Sequence, residues 1–137
     1  MKIVVIDGQG GRLGAKLSER ILARWPSCIL TVIGTNSIAT QAMLKAGAKN
    51  AATGENALKV ACRNADVILG PLGIAMADSL MGEISPVMAH AVSASPAQRI
   101  LIPMNLCDTY VAGITGSSND IIEDAVRRLE MILAQDG

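Results

Sequence analysis

Ile3-Val4-Val5-Ile6-Asp7-Gly8-Gln9-Gly10-Gly11-Arg12-Leu13-Gly14 is the stretch whose reading decides the fold. Four consecutive branched apolar residues predict a strand buried on both faces. After the glycines, Leu13, Leu17, Ile21 and Leu22 recur at helical spacing, with Arg12, Lys16, Glu19 and Arg20 off that stripe. The glycines therefore form a strand-to-helix turn. Gly8, Gly11 and Gly14 are spaced G-x-x-G-x-x-G, and each has a physical task. The first turns the chain tightly, the second lets backbone approach a pyrophosphate, and the third lets helix pack on strand. Free N–H groups at the helix start, at the positive end of its dipole, suit an anion. The competing reading is a turn that serves packing alone.

The same alternation continues outward. Pro26 stops the first helix, and Ile29–Ile33 reads as a second strand. Ser37 caps a helix to about Ala46, with Gly47 as its C-terminal glycine. A weak third strand lies near Lys49–Ala52, and Thr53-Gly54-Glu55-Asn56 turns into a helix ending near Asn64. Val67–Leu69 is the fourth strand, followed by a long connection from Gly70-Pro71-Leu72-Gly73 to Gly82. Ser85-Pro86 starts a helix that ends before Pro96. Arg99–Pro103 reads as a fifth strand and Tyr110–Ile114 as a sixth. The last helix is expected from Asp120, with Glu123 completing a capping box and Ile122, Ala125, Leu129, Ile132 and Leu133 as its buried stripe. Strands alternating with helices predict an α/β fold: a three-layer, Rossmann-like, doubly wound and mostly parallel sheet of about five or six strands. No linker or repeat interrupts residues 1–137, which are read as a single domain.

The turn is similar to that of the extended short-chain dehydrogenases and the related nucleotide-sugar epimerases. Other phosphate loops fit worse. No Gly-Lys-Ser/Thr follows, as a Walker loop requires, and Gln9 stands where a cobalamin-type Asp-x-His needs histidine. A phospho-receiver would use Asp7, but Pro103-Met104-Asn105 lacks the expected lysine. The second strand ends in Gly34-Thr35-Asn36-Ser37, with no carboxylate to accept ribose hydroxyls or repel a 2′-phosphate. Arg12 could pair with such a phosphate. This places NADP ahead of NAD as the expected cofactor. The candidate binding residues are Gly8, Gln9, Gly10, Gly11, Arg12, Gly14, Thr35, Asn36 and Ser37. Gly70, Pro71 and Gly73 join them from the fourth strand, and Asn105 from the fifth. Thr53, Glu55 and Asn56 could border the same crevice.

Catalytic groups are not legible. The pair Tyr-x-x-x-Lys of short-chain dehydrogenases is missing, because Ile114 stands four residues after Tyr110. His90 lies in an apolar run and reads as packed or at an interface. Asp78 and Glu83 are candidate acid–base groups, but read more simply as helix-end charges. Cys107 has no activating motif beside it. Oxidoreductase or epimerase-like chemistry, a non-catalytic ligand sensor, and a structural oligomer subunit all remain open.

Composition narrows the partners. The 137 residues are 50% hydrophobic and 18% charged, with zero net charge, and mean hydropathy is +0.39. A domain of this length buries roughly two thirds of its unfolded surface. Its apolar excess suits a parallel sheet covered on both faces, and a homo-oligomer interface, here a dimer face in the charge-poor run from Val67 to Gln98. Zero net charge and 1% aromatic content argue against nucleic acid. Cys28, Cys62 and Cys107 lack metal-ligand spacing, so no metal is expected, and they suit a reducing cytoplasm. The uncharged run from Trp25 to Leu44 is too polar for a membrane span.

The motifs taken together resemble a small bacterial family of unknown function. They are Ile6-Asp7-Gly8-Gln9-Gly10-Gly11, Gly34-Thr35-Asn36-Ser37-Ile38-Ala39-Thr40 and Ala52-Thr53-Gly54-Glu55-Asn56-Ala57. Gly70-Pro71-Leu72-Gly73-Ile74, Ala77-Asp78-Ser79-Leu80, Gly82-Glu83-Ile84-Ser85-Pro86 and Ile102-Pro103-Met104-Asn105 complete the set. The resemblance runs nearly the length of the chain, implies that the chain is complete, and carries no catalytic residues with it.

Overall fold

Five strands pair in parallel in the computed structural model, which describes residues 1–104 and 108–136. They are β1 (Lys2–Asp7), β2 (Ile29–Gly34), β3 (Asn50–Thr53), β4 (Val67–Pro71) and β5 (Gln98–Ile102), in the order β3-β2-β1-β4-β5. The helices are α1 (Arg12–Arg24), α2 (Ser37–Lys45), α3 (Glu55–Asn64), α4 (Pro86–Ser93) and α5 (Ser118–Asp136). Alternate residues of β1 feed opposite cores, as strand geometry requires. Ile3 and Val5 pack with Leu17 and Ile21 of α1, Met43 of α2 and Leu129 of α5. Val4 and Ile6 pack with Leu58 of α3 and with Met88 and Val92 of α4. The result is the three-layer Rossmann-like arrangement expected.

Three local expectations are corrected. Residues 110–114 form no strand: Tyr110 is 88% exposed and Gly113 has φ +83°. The β-prone pattern there has no strand to pair with. The cap of α2 is Asn36, whose side chain accepts from the Ala39 N–H at 2.9 Å, and Ser37 is already helical. The capping box of α5 lies three residues upstream of the expected one. The Ser117 hydroxyl accepts from the Asp120 N–H at 3.2 Å, and the Asp120 carboxylate accepts from the Ser117 N–H at 3.0 Å. Glu123 instead pairs with Arg20 on α1 at 2.7 Å.

Gly47 ends α2 as expected, at φ +117°. Its N–H reaches the Leu44 carbonyl, and the Ala48 N–H reaches that of Met43, which is a Schellman closure. No helix among the described residues is long and apolar enough to cross a membrane.

Candidate functional site

In this topology β1 and β4 are neighbours whose onward connections leave in opposite directions, so their C-terminal ends bound the switch-point crevice of the sheet, into which the segment after β4 packs, with Leu80 and Glu83 against Gly8 and Ile74 against Gly70. The Gly8–Gly14 turn forms one wall. Gly11 begins α1 in the left-handed region (φ +71°), and its N–H closes onto the Gly8 carbonyl at 2.9 Å. A side chain on Gly11 would meet the Ala39 backbone at 2.7 Å, and one on Gly14 would meet Met43 at 2.6 Å and Asp7 at 2.8 Å. Those two glycines let α1 sit tightly against α2 and β1. Gly8 is packed too, with Thr35, Leu80 and Glu83 around its α-carbon. Gly10 differs: nothing lies within 4 Å of an added Cβ, and its φ is not positive. The fold itself makes no demand for glycine there.

Asp7 clamps the turn from below. Its carboxylate accepts from the Gly8 N–H at 2.8 Å and the Gly14 N–H at 2.7 Å. Burial pushes its carboxyl up, the two N–H groups hold it back, Glu83 adds repulsion, and the net shift is upward. The N-cap residue Gly11 has no side chain to cap α1, but Asp7 does so from β1 by accepting the Gly14 N–H of the first turn, which itself carries Arg12 and no acid. The positive end of the α1 dipole thus has the Asp7 carboxylate against its Gly14 N–H, and no acid from its own first turn.

Sequence reasoning leaves the end of β2 without a carboxylate. The fold supplies one, from a segment far along the chain. Oε1 of Glu83 accepts from the Thr35 hydroxyl at 2.6 Å, the Asn36 amide at 2.8 Å and the Gln9 N–H at 2.8 Å. The Asn36 amide also reaches the Gln9 carbonyl at 3.0 Å. Burial pushes the Glu83 carboxyl up, but these three donors outweigh it and hold the group below the usual glutamate range. Glu83 is thus no helix-end charge, and the end of β2, expected to lack a carboxylate and so to favour NADP, has one against it.

The strap that delivers Glu83 is unusual. After β4 comes a 3₁₀ turn, Leu72–Ala75. Asp78, Leu80, Met81 and Gly82 then take positive φ of 64°, 54°, 55° and 86°. The Gly82 N–H reaches the Ser79 carbonyl and the Glu83 N–H that of Leu80, both at 3.1 Å, so Leu80–Gly82 wind as one left-handed turn. Such backbone costs about 1–2 kcal/mol per non-glycine residue. Anchors offset that cost. Ile84 is fully buried, its carbonyl accepts from the Asp78 N–H at 2.7 Å, and the Ser79 hydroxyl bonds the Gly73 carbonyl.

The remaining candidates divide. Gly8, Gln9, Thr35 and Asn36 meet at Glu83, whereas Arg12 and Ser37 are exposed beside the turn. Ser37 and Gly10 border a hollow of about 290 Å³ against α2. Gly70, Pro71 and Gly73 are buried and packed: a side chain on Gly70 would strike the Ile6 carbonyl, and one on Gly73 would meet Ser79 at 3.1 Å. Thr53 lies 2.7 Å from the Thr40 hydroxyl, and Glu55 accepts from the Ser85 hydroxyl at 2.7 Å. Asn56 is exposed. His90 is exposed rather than packed, and borders a groove of about 560 Å³ between α3 and α4. Asn105 and Cys107 lie outside the described residues. Among the described residues, no three His, Cys, Asp or Glu side chains gather as a metal would require.

No curated protein matches the chain. Among solved structures it is similar to a nucleoside-diphosphate-sugar epimerase from Pseudomonas aeruginosa, with 19% identity and a TM-score of 0.48. That match covers 100% of this chain and 49% of the epimerase, so the chain spans about half the epimerase's length. It is also similar to a dodecameric FMN-dependent Ubix-like decarboxylase from Escherichia coli O157:H7, with 15% identity, a TM-score of 0.45, and coverage of 98% and 95%. Residues 2–134 match the model of the family described as Domain of unknown function (DUF3842), and the chain belongs to that family.

Proposed function

We propose that this protein binds a nucleotide or dinucleotide of the NADP or NAD type in the crevice between β1 and β4. A pyrophosphate would lie along Gly10, Gly11 and Arg12 at the start of α1. A ribose would lie by Gln9, Thr35, Asn36 and Glu83. Gly10 carries this reading. Packing explains Gly8, Gly11 and Gly14, whereas Gly10, open and without a positive φ, leaves the backbone beside the start of α1 free for a ligand to approach.

The reading is one of binding, with or without turnover. Self-association fits the strap and the first turn of α4, because Met81 is 94% exposed and Val87 45%. The test is a thermal-shift and calorimetric titration with NADP, NAD, FAD, ATP and phosphate. A ligand at 100 times its dissociation constant stabilises the native state by about 2.7 kcal/mol. No response to any of them would leave the turn as architecture, and sedimentation at micromolar concentration would then test the oligomeric alternative.

A further inference from the structure

We infer that Glu83 reads the ribose of the bound nucleotide, so that the site takes an unphosphorylated ribose diol and rejects a 2′-phosphate; the inference rests on the nucleotide reading above. In a doubly wound sheet the ribose next to the glycine turn lies at the end of the second strand, where an acidic side chain accepts its hydroxyls. Here β2 ends in Thr35 and Asn36, which are hydrogen-bond donors to a carboxylate rather than carboxylates. The acid arrives instead from the strap after β4. Thr35, Asn36 and the Gln9 N–H all converge on one oxygen, Oε1, at 2.6–2.8 Å. Three donors fill the acceptor capacity of that oxygen. Among the described residues none of these bonds uses Oε2, which leaves an acceptor for a ribose hydroxyl.

The same arrangement is hostile to a 2′-phosphate. A dianion placed against an ionised carboxylate is a like-charge contact, and the donors that could have held the phosphate, Thr35 and Asn36, are already committed to Glu83. Arg12 is the nearest cation in sequence, but it is exposed on α1 and makes no bond to this cluster. The geometry of the strap, fixed by its left-handed turn and by buried Ile84, sets where the carboxylate stands. The discrimination therefore belongs to Glu83 and the strap, not to the strand end itself.

The experiment is a calorimetric comparison of NAD with NADP, on the wild-type protein and on Glu83→Gln. The wild-type ratio needs no variant, so it stands even if the substitution disturbs the turn. The expected result is a preference for NAD of about tenfold or more, shrinking towards parity in Glu83→Gln because NADP tightens. Binding of both dinucleotides with equal affinity, or a preference for NADP, would overturn the inference while leaving the nucleotide reading intact. An equal gain for both ligands in Glu83→Gln would also overturn it, because Glu83 would then be an occupant of the site and not a reader. Binding of neither would end the nucleotide reading and this inference with it.

Discussion

The Thr35 hydroxyl donates to Glu83 Oε1 at 2.6 Å, and through that contact the end of β2 is tied to the strap that follows β4. The two segments belong to opposite halves of the sheet, on either side of β1. Together with Gln9 and Asn36 they close a polar ring around one carboxylate oxygen at the mouth of the crevice.

Two neighbouring glycines should separate architecture from binding. Gly11→Ala forces a side chain onto the Ala39 backbone at φ +71°, and should destabilise the protein by about 1–3 kcal/mol. Gly10→Ala meets nothing within 4 Å and should leave the urea midpoint nearly unchanged, within about 0.5 kcal/mol. Nucleotide affinity should nevertheless fall in Gly10→Ala. Unchanged affinity in a stable Gly10→Ala protein would remove the observation on which the proposed function rests.

The two carboxyls of the site should titrate in opposite directions. Asp7, raised by burial, should ionise above 3.8, and Glu83, held down by its three donors, below 4.5. Asp7 then contributes stability in full below pH 3.8, and the contribution fades as pH rises through its folded value. Glu83 contributes above pH 4.5, and loses its contribution as pH falls through its folded value. Carbon-detected NMR of the side-chain carboxyls reads both values directly. Urea melts of Asp7→Asn and Glu83→Gln across acid pH should each flatten one of the two slopes.

Ser117 should matter more than its exposed position suggests. Its hydroxyl caps α5, whose buried stripe includes Ile122, Val126 and Leu129. Ser117→Ala should cost about 1 kcal/mol and lower Tm by a few degrees. A matched loss in Asp120→Ala, with little further loss in the double variant, would identify the reciprocal box. Arg20→Ala, which breaks an exposed pair with Glu123, should cost less than about 1 kcal/mol.

Cys62 should be inert in the native state. It is buried, and burial pushes its thiol up to about 11. Thiolate is the reactive form, so a disulfide reagent at pH 8 should leave Cys62 unmodified until the chain is unfolded. Rapid native labelling mapped to Cys62 by mass spectrometry would show that α3 opens locally.

Most of the architecture is legible in local pattern. The run Ile3–Ile6 and the stripe Leu13, Leu17 and Ile21 announce β1 and α1, because burial on two faces and on one helical face leaves distinct periods. Tyr110–Ile114 misleads for the same reason: a β-prone pattern says nothing about whether a partner strand exists, and Tyr110 is 88% exposed. The caps slip by a residue or by one turn, as with Asn36 for Ser37 and Ser117 for Asp120, since several adjacent hydroxyl and amide side chains can each serve. The glycine turn is visible. Glu83 is visible as a candidate acid but not as the carboxylate at the end of β2, because its partners Gln9, Thr35 and Asn36 come from two distant segments, and only the tertiary fold and a left-handed turn bring it to them. Asp7 is visible as a residue but not as a clamp, for its two bonds depend on the path of the loop it closes.

The parallel sheet also dictates when the protein becomes competent during synthesis. Parallel strands cannot join through a tight hairpin, so every pairing waits for a crossover. Ile3 pairs with Leu30 on one side and with Val67 on the other. Of these five strands the earliest made is therefore the central one, and it must remain unsatisfied along one edge until β4 emerges. The crevice, bounded by the ends of those two strands and finished by a strap beyond the second, is assembled late. A nascent chain released before residue 84 would carry every glycine of the turn and still lack the buried Ile84 that anchors the carboxylate at its mouth.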